Sequence, residues 1–346
     1  MHTNLFPGLL HVVTAFSNPV GWQSRTRLYR DFAAHITASG AQLCTVECVY
    51  GERPFEVADA PGIHVGVRAS GSSMCWNKEN LLNIGVSRLP SSARYIGLFD
   101  ADIHFHRADW AEATVQTLQH RDAVQPWSDC YDLGPEGEHL EWHRSVGRMY
   151  ADGQPIVQGP RPSDGELDEA RRRSTPPHRH RPPPPPPPPP HRPPPHPYRF
   201  AHPGFAWAYT RRALDCVGGM VETAALGAAD HHMALALIGK VAHTIPGNLT
   251  QAYKDPLYLW QARATRHIAG NIGYVPGTID HYFHGPKRLR AYVDRWDILD
   301  RHAFDPATDL RKNTYGVVEL AGNKPGLRDD IMDYLWSRAE DSNQAE

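Results

Sequence analysis

Two continuous apolar runs constrain the fold of this chain more than any other feature of its sequence. Residues 9–16 read LLHVVTAF and stop at a Ser-Asn-Pro turn, and residues 94–99 read RYIGLF. Neither run alternates between apolar and polar residues, so each predicts a strand that is covered on both faces. Crossover helices pack on both sides of a parallel sheet. The two runs therefore predict a parallel sheet with helices on both faces.

Helical patterns lie between the predicted strands. Residues 21–39 and 76–89 have apolar residues at helical spacing, and short strands are predicted at 43–50 and 63–67. This alternation predicts an α/β fold with an open sheet, which binds ligands at the carboxyl ends of its strands. The second half of the chain predicts strands at 204–209 and 241–245 and helices at 213–217, 228–238, 257–268, 289–299 and 327–338.

The composition excludes several classes of protein. The 346 residues are 40% hydrophobic, enough for a sizeable core, and the formal net charge of -2 gives no long-range attraction to polyanions. Five cysteines without a CxxC pair predict reduced thiols in a reducing compartment. No apolar stretch is long enough for a membrane span, and the N-terminus lacks the marks of a signal peptide. We expect a cytoplasmic protein without a membrane partner.

A proline-rich segment interrupts the chain between residues 151 and 202. It contains nine consecutive prolines at 182–190, flanked by histidines and arginines. Such a segment cannot form a packed core and predicts a disordered, extended insertion in a surface loop. Two roles are open: the prolines could bind SH3-like or WW-like modules, and the basic flanks could grip phosphates.

An acidic pair, Asp100 and Asp102, follows the second apolar run directly. The strand therefore delivers two carboxylates to the rim of the predicted sheet. Mn²⁺ and Mg²⁺ accept carboxylate ligands and leave positions open for phosphate oxygens. The pair predicts a site for Mn²⁺ or Mg²⁺. The alternative is that both aspartates cap the helix predicted near Asp109.

Several segments resemble GT-A glycosyltransferases in their order and spacing. They are WNKENLLNIGV at 76–86, YIGLFDADIHF at 95–105, and the block 203–240 with its aromatic, Gly-rich strand, Gly-Gly turn and acidic residue. The resemblance covers most of residues 9–300 apart from the proline-rich segment. It implies a GT-A open mixed sheet flanked by helices, with a donor half at 1–150, an insertion at 151–202, an acceptor half at 203–305 and a helical tail at 306–346.

The resemblance also implies roles for the acidic residues. Asp102 matches the principal metal ligand, and Asp100 matches a contact to the donor's ribose or to the metal through water. Asp230 falls where inverting members keep their catalytic base, which takes the proton from an acceptor hydroxyl. Ala229 stands where the family commonly has Glu. The alternative role for Asp230 is a helix N-cap.

Two histidines and a set of donor contacts complete the expected site. His284, with His281 beside it, matches the late histidine that completes the metal shell in GT-A enzymes; the alternative is a structural histidine pair. The donor is expected to be a nucleotide sugar, a UDP-sugar first. The expected contacts to this donor are Ser17, Asn18, Arg25, Lys78, Asn83, Asp100 and Trp207.

The sequence does not identify the acceptor of the sugar. Residues 278–299 and the tail resemble glycosyltransferase-like proteins of bacteriophages and bacteria, some of which act on hydroxymethylated pyrimidines in DNA. A hydroxymethylated DNA base, a saccharide and a protein are therefore candidate acceptors, and a phage origin would place the protein in the cytoplasm of a bacterial host. Two rival classes are a nucleotidyltransferase or phosphohydrolase, and a non-catalytic proline-rich interaction protein. The turn at residues 17–21 lacks the Gly-rich, basic signature of nucleotidyltransferases.

Overall fold

A seven-stranded mixed sheet organises the chain in its computed structural model, which describes residues 8–156 and 201–342. The strand order is β10-β6-β9-β4-β1-β2-β3, and every neighbouring pair is parallel except the two that involve β9. The strands of the chain are β1 Leu10–Ser17, β2 Gln42–Tyr50, β3 Ile63–Ala69, β4 Tyr95–Phe99, β5 Ile103–Phe105, β6 Ala123–Gln125, β7 Asp129–Leu133, β8 His139–Arg144, β9 Ala206–Thr210, β10 Ile272–Tyr274, β11 Thr278–His281, β12 Leu310–Lys312 and β13 Val318–Leu320.

Helices cover both faces of this sheet. They are α1 Gln23–Ala38, α2 Lys78–Arg88, α3 Trp110–Leu118, α4 Val146–Ala151, α5 Arg211–Val217, α6 Ala229–Ala236, α7 Gln251–His267, α8 Trp296–Arg301, α9 Pro306–Asp309 and α10 Pro325–Ser337. The side chains of β1 explain the two layers: Val12 and Phe16 join one apolar cluster with α1, whereas Val13 joins another with α2. The predicted fold class, an open mixed sheet flanked by helices, is confirmed.

A second sheet packs beside the carboxyl end of β4. Its strand order is β5-β11-β7-β8, and β11 runs antiparallel to β5 with His281 opposite Ile103. The backbone N–H of Tyr282 donates to the carbonyl oxygen of Asp102 at 2.9 Å. The end of β11 is thereby fixed against the turn between β4 and β5. This pairing positions the candidate site.

One predicted strand is wrong. Residues 241–245 were expected to be extended, but Val241–Thr244 forms a 3-10 helix. The Thr244 hydroxyl donates to the carbonyl oxygen of Val241 at 2.7 Å, and the N–H of Val241 donates to the Gln261 side chain at 2.8 Å. These hydrogen bonds close a local turn, and they outweigh the β propensity of a short apolar stretch.

The predicted helix at 289–299 is also wrong in its extent. Lys287–Arg290 forms a 3-10 turn, and the α-helix begins only at Trp296. Ala291 separates the two with a φ of +41°. An L-residue in this left-handed region interrupts a right-handed helix.

No helix in the described part of the chain is long and apolar enough to cross a membrane. Cys44, Cys48, Cys75 and Cys130 are buried, and Cys216 is partly buried. Both predicted halves contribute strands to the seven-stranded sheet. The proline run and its basic flanks lie outside the described residues.

Gly85 tests the packing of α2 on the sheet. A methyl group at this position would overlap Val13 and lie 2.9 Å from Cγ2 of Val46. Gly85→Ala is therefore expected to lower the free energy of unfolding by about 1–2 kcal/mol, because overpacking exceeds the gain in helix propensity. Urea unfolding measures this. Gly247→Ala, at a position with no atom within 4 Å, is the control; equal stability of both variants would contradict this packing.

Candidate metal centre and adjoining cavity

Three side chains meet where β4 and β11 end. Asp102 lies in the turn after β4, and His281 and His284 lie at and after the end of β11. Oδ2 of Asp102 is 3.1 Å from Nε2 of His284 and 3.7 Å from Nε2 of His281, and the two Nε2 atoms are 3.3 Å apart. One carboxylate oxygen and two imidazole nitrogens thus point to a common centre.

The chemistry of these atoms fits a divalent cation. Oδ1 of Asp102 is buried and has no hydrogen-bond partner among residues 8–156 and 201–342. Each histidine turns its Nδ1 toward a carboxylate: that of His281 is 2.6 Å from Asp132, and that of His284 is 3.7 Å from Glu340. Carboxylates in this position orient a metal-binding imidazole and leave its Nε2 lone pair for the metal. A carboxylate with two imidazoles suits Mn²⁺ or another first-row cation.

The same cluster attracts positive charge. Burial alone would lower the pKa of His281, but Asp102 and Asp132 raise it to about 9. A guanidinium nitrogen of Arg290 lies 3.1 Å from Nε2 of His284, the same distance as Oδ2 of Asp102. Without a metal ion, positive charge next to Asp102 comes from a proton on His281 and from the side chain of Arg290. A metal cation would supply positive charge at the same place.

A neighbouring acidic cluster already contains a cation from the chain itself. Asp132, Glu141 and His143 lie close enough to hold a metal ion. The ammonium group of Lys287 bonds directly to both carboxylates, and His143 bonds to Asp132. Lys287 therefore offsets part of the negative charge of this cluster. Asp132 serves as the link between Lys287 and His281.

Asp100 lies on the other side of the same turn. Its Oδ1 accepts a hydrogen bond from Nζ of Lys78 at 2.9 Å, and Oε1 of Glu79 is 3.9 Å from that ammonium. Burial would lower the pKa of Lys78, but Asp100 and Glu79 raise it. These three residues line a cavity whose other lining side chains include Trp207, Tyr209, Met220, Asp230 and Met233.

Asp230 occupies the first turn of α6 and faces this cavity. The residue at the N-cap is Ala228, so Asp230 does not take the capping position, although its Oδ1 accepts from the N–H of His231 at 2.8 Å. A methyl group at Gly204 would lie 2.6 Å from Oδ2 of Asp230. A glycine at position 204 therefore makes the room that the carboxylate occupies.

The start of β9 has a strained backbone beside both carboxylates. Phe205 has a φ of +71°, a region that costs about 1 kcal/mol or more for a bulky side chain. Its carbonyl oxygen accepts from the N–H of Asp100 at 2.8 Å. Two residues on, Nε1 of Trp207 donates to the carbonyl oxygen of Pro203 at 2.7 Å, which fixes the indole against the cavity. The strain is held in place by this hydrogen bonding.

Three of the expected donor contacts lie at or beside the turn after β1. The Ser17 hydroxyl lies 2.9 Å from the Tyr50 hydroxyl. The Asn18 side chain is buried and closes the turn, because its Oδ1 accepts from the N–H groups of Gly21 and Trp22. Arg25 lies next to this turn and bonds to Ser17 through its backbone carbonyl. Of the three, Arg25 also bonds to Glu340, which approaches His284.

Asn83 is not brought to the cluster. Its amide nitrogen donates to Met220 O at 3.0 Å and to Glu222 at 2.8 Å, and its oxygen accepts from the N–H of Met220 at 2.8 Å. The side chain thereby joins α2 to the loop before α6. Its role as a donor contact stays a prediction.

Sequence reasoning missed three buried acids of the site: Glu79, Asp132 and Glu340. Asp132 lies between apolar neighbours in β7, and an acid within a strand is a signal that could have been used. Glu79 directly follows Lys78, and its sequence position is that of an ordinary acid in the first turn of a helix. Glu340 lies far along the chain in a polar tail, where no local pattern indicates burial.

No protein-family model matches the chain, and neither does a curated protein sequence. Solved structures with a similar arrangement exist at low identity. The catalytic domain of Drosophila beta1,4-galactosyltransferase 7 with xylobiose has a TM-score of 0.31 and 11% identity, over 68% of this chain and 63% of that domain. A mutant of that enzyme with manganese, UDP-Gal and xylobiose has a TM-score of 0.38 and 9% identity, over 92% and 98%.

Two further proteins are similar at the same level. TarS from S. aureus has a TM-score of 0.37 and 9% identity, over 85% of this chain and 68% of that one. A 4-diphosphocytidyl-2C-methyl-D-erythritol synthase from Anaerococcus prevotii has a TM-score of 0.31 and 7% identity, over 78% and 89%. Values this low carry no function from these proteins to this chain.

Glu79 gives a prediction on stability and pH. Burial is the main cause that raises its pKa from 4.5 to about 7, and Asp230 and Asp100 add to it while Lys78 opposes. A carboxyl group whose pKa is raised by folding destabilises the folded state as pH rises from the unfolded value through the folded one. Glu79→Gln is therefore expected to gain up to about 3 kcal/mol of unfolding free energy at pH 8 and nothing below about pH 4.

Urea unfolding at a series of pH values measures the effect. Glu52→Gln, which removes an exposed carboxylate, is the control. A gain that does not change between pH 4 and pH 8 would contradict a buried, proton-binding Glu79.

Proposed function

We propose that this chain is a metal-dependent glycosyltransferase of the GT-A type, which moves a sugar from a nucleotide-sugar donor to a hydroxyl group. One observation carries the proposal: Asp102, His281 and His284 converge at the carboxyl edge of the sheet, and Asp102 keeps a buried oxygen without a described partner. The carboxyl ends of the strands are where open α/β sheets bind ligands.

Asp102, His281 and His284 form what we call the metal triad. The residues around this triad suit the donor. A bound Mn²⁺ or Mg²⁺ would offset the negative charge that develops on a leaving diphosphate. Arg25 and Arg290 lie on this side and present guanidinium groups, which pair well with phosphate oxygens. Asp100 acts with Lys78 as a charged pair beside the metal ligands. We propose a UDP-sugar as the first donor to test.

Asp230 is the residue that we propose for the acceptor side. It lines a cavity of about 20 Å³ together with Lys78, Glu79, Asp100 and Trp207. This space holds about one water molecule, so the acceptor would lie outside it and direct only its hydroxyl group toward Asp230. We propose Asp230 as the general base that takes the proton of the acceptor hydroxyl while this oxygen attacks the anomeric carbon. Direct attack by an acceptor hydroxyl that a general base has deprotonated inverts the configuration of the anomeric carbon, so we propose an inverting mechanism.

The acceptor itself is proposed as a saccharide or a hydroxymethylated pyrimidine in DNA. The net charge of -2 does not favour strong binding to a duplex. Both classes present a primary or secondary hydroxyl group, which is all that the proposed base requires. A transfer assay with each acceptor decides between them.

The metal triad gives the first prediction on function. Asp102→Asn is expected to weaken Mn²⁺ binding at least about 100-fold and to abolish Mn²⁺-dependent hydrolysis of a nucleotide sugar, because the shared carboxylate ligand loses its charge. Calorimetry and a hydrolysis assay measure the two effects, and circular dichroism checks the fold. Asp59→Asn, which removes an exposed partner of Arg30, is the control. Full turnover in Asp102→Asn would rule out the metal assignment.

Asp230 gives the second prediction on function. Asp230→Asn is expected to lower the rate of transfer by about 10²–10⁴-fold, while the donor still binds with unchanged affinity. Asp297→Asn removes another acidic group from the first turn of a helix and serves as the control for helix stability. If Asp230→Asn loses its fold, or transfers sugar at the normal rate, the proposed base is wrong.

A further inference from the structure

The last described residues return to the candidate metal centre. After α10 ends at Ser337, residues 338–341 lie against α1 and against the turn that follows β11. We call residues 338–341 the C-terminal segment. Its central residue, Glu340, is 2% exposed although it is an acid near the end of a chain. A buried carboxylate requires partners that offset its loss of solvation.

Arginines on two sides provide those partners. Nε and Nη2 of Arg25 donate to the two carboxylate oxygens of Glu340 at 2.6 and 2.8 Å, and Nε of Arg338 is 2.9 Å from Oε1. Burial would raise the pKa of Glu340, but Arg25 and Arg338 hold it well below its usual range. The guanidinium of Arg338 also lies 4.8 Å from the centre of the Trp76 ring. Glu340 therefore fixes two arginines at once.

The same carboxylate approaches a candidate metal ligand. Oε2 of Glu340 lies 3.7 Å from Nδ1 of His284. Gly285 packs tightly on the segment, since a methyl group at this position would lie 2.9 Å from Cα of Glu340. The backbone beside His284 is thereby fixed against the C-terminal segment. The contact between Glu340 and His284 is longer than the 2.6 Å hydrogen bond between Asp132 and His281, so Glu340 borders the imidazole of His284 without a direct hydrogen bond.

Hydrogen bonds to the start of α1 hold the segment in place. The carboxylate of Asp341 accepts from the N–H groups of Gln23 and Ser24 at 3.0 and 2.8 Å. The Ser24 hydroxyl donates to the carbonyl oxygen of Glu340 at 3.2 Å. These N–H groups have no partner within the helix, so an acid at this end is stabilising. The segment is anchored independently of the Glu340 ion pairs.

Guanidinium groups gather beside the candidate metal centre. Arg25, Arg290 and Arg338 lie near the carboxylates of Glu340 and Asp102, and the residue after Glu340 is a further acid. Arg290 is largely buried, and its Nε has no hydrogen-bond partner in the described part of the chain. Guanidinium groups beside a cation site pair well with the oxygens of a phosphate-containing ligand.

We propose that Glu340 is a positioning residue, which holds His284 for the metal and Arg25 for the donor's diphosphate, so that the C-terminal segment completes the donor side of the site. The role of Arg25 rests on the proposed function, whereas the role toward His284 is tested by metal binding alone. The opposite arrangement is a plug, in which the acids of the segment occupy the anion site and leave when the donor binds. The two arrangements predict opposite effects when the segment is removed.

The experiment compares the full-length chain with Glu340→Gln, Glu340→Asp and a chain that ends at residue 337. Mn²⁺ affinity is measured by electron paramagnetic resonance of the free ion, and KM and kcat are measured for hydrolysis of a UDP-sugar. Glu340→Gln is expected to weaken Mn²⁺ binding about 10–100-fold, as loss of a carboxylate behind a metal-binding histidine does. It is also expected to raise KM for the donor more than it lowers kcat.

A matched control and a conservative variant separate this role from simple stability. Asp330 on α10 also bridges an arginine and a histidine, Arg301 and His302, each at 2.8 Å, and Asp330→Asn is expected to leave Mn²⁺ affinity unchanged. Glu340→Asp keeps the charge, and we expect it to bind Mn²⁺ with an affinity between those of the wild type and Glu340→Gln. If Glu340→Gln does not fold, Glu340→Asp decides, and an unchanged Mn²⁺ affinity in it would overturn the proposal.

Three further outcomes separate the positioning role of Glu340 from the plug and from the proposed function. Tighter donor binding or faster turnover in the chain that ends at residue 337 would show a plug and overturn the positioning role. Wild-type Mn²⁺ affinity in Glu340→Gln would overturn it while the proposed function stands. A wild-type chain that binds no Mn²⁺ would overturn the proposed function and this inference together.

Discussion

The buried carboxylate of Asp102 sets the conditions that the rest of the site has to meet. A charge removed from water is costly unless it is paired, and Asp102 is flanked by two imidazoles that are themselves backed by acids. The acids are paired in turn with basic side chains: Asp132 lies between His281 and Lys287, and Glu340 lies between His284 and Arg25. A cation at the centre would lie between the carboxylate of Asp102 and the two imidazoles, and it would offset the buried negative charge.

The sheet topology explains how distant residues reach this point. Because β9 runs antiparallel to β4, its first residue, Ala206, pairs with the last residue of β4, Phe99. The chain before β9 therefore lies at the same edge as the acidic turn, and Gly204 brings it against Asp230. On the other side, pairing of β11 with β5 sets His281 next to Asp102. The candidate metal ligands and Asp230 thus lie on either side of one short turn.

The sequence predicted the parts of this arrangement that local patterns encode. The apolar runs gave the positions of β1 and β4, and the position of Asp102 directly after β4 followed from them. His281 and His284 were predicted from the resemblance, and the structure brings them to Asp102, whereas Asn83 bonds to a loop instead. The strand at 241–245 was wrong because hydrogen bonds to Gln261 and within the turn decide its shape. Glu340 could not be predicted, because its burial results from tertiary contacts with Arg25 and Gly285.

The cavity next to the metal triad brings several acidic side chains together, and a proton on Glu79 would reduce the repulsion between them. Asp100, Glu79 and Asp230 line one small cavity with a single lysine, so three ionised carboxylates would repel one another there. Lys78 pairs with Asp100 at 2.9 Å and is farther from Glu79, at 3.9 Å. With its pKa raised to about 7, mainly by burial, Glu79 is partly protonated at neutral pH. A neutral Glu79 adds no repulsion to Asp230, the proposed base. The lysine then pairs with Asp100 beside the candidate metal ligands, so the charge of Asp100 is balanced separately from that of Asp230.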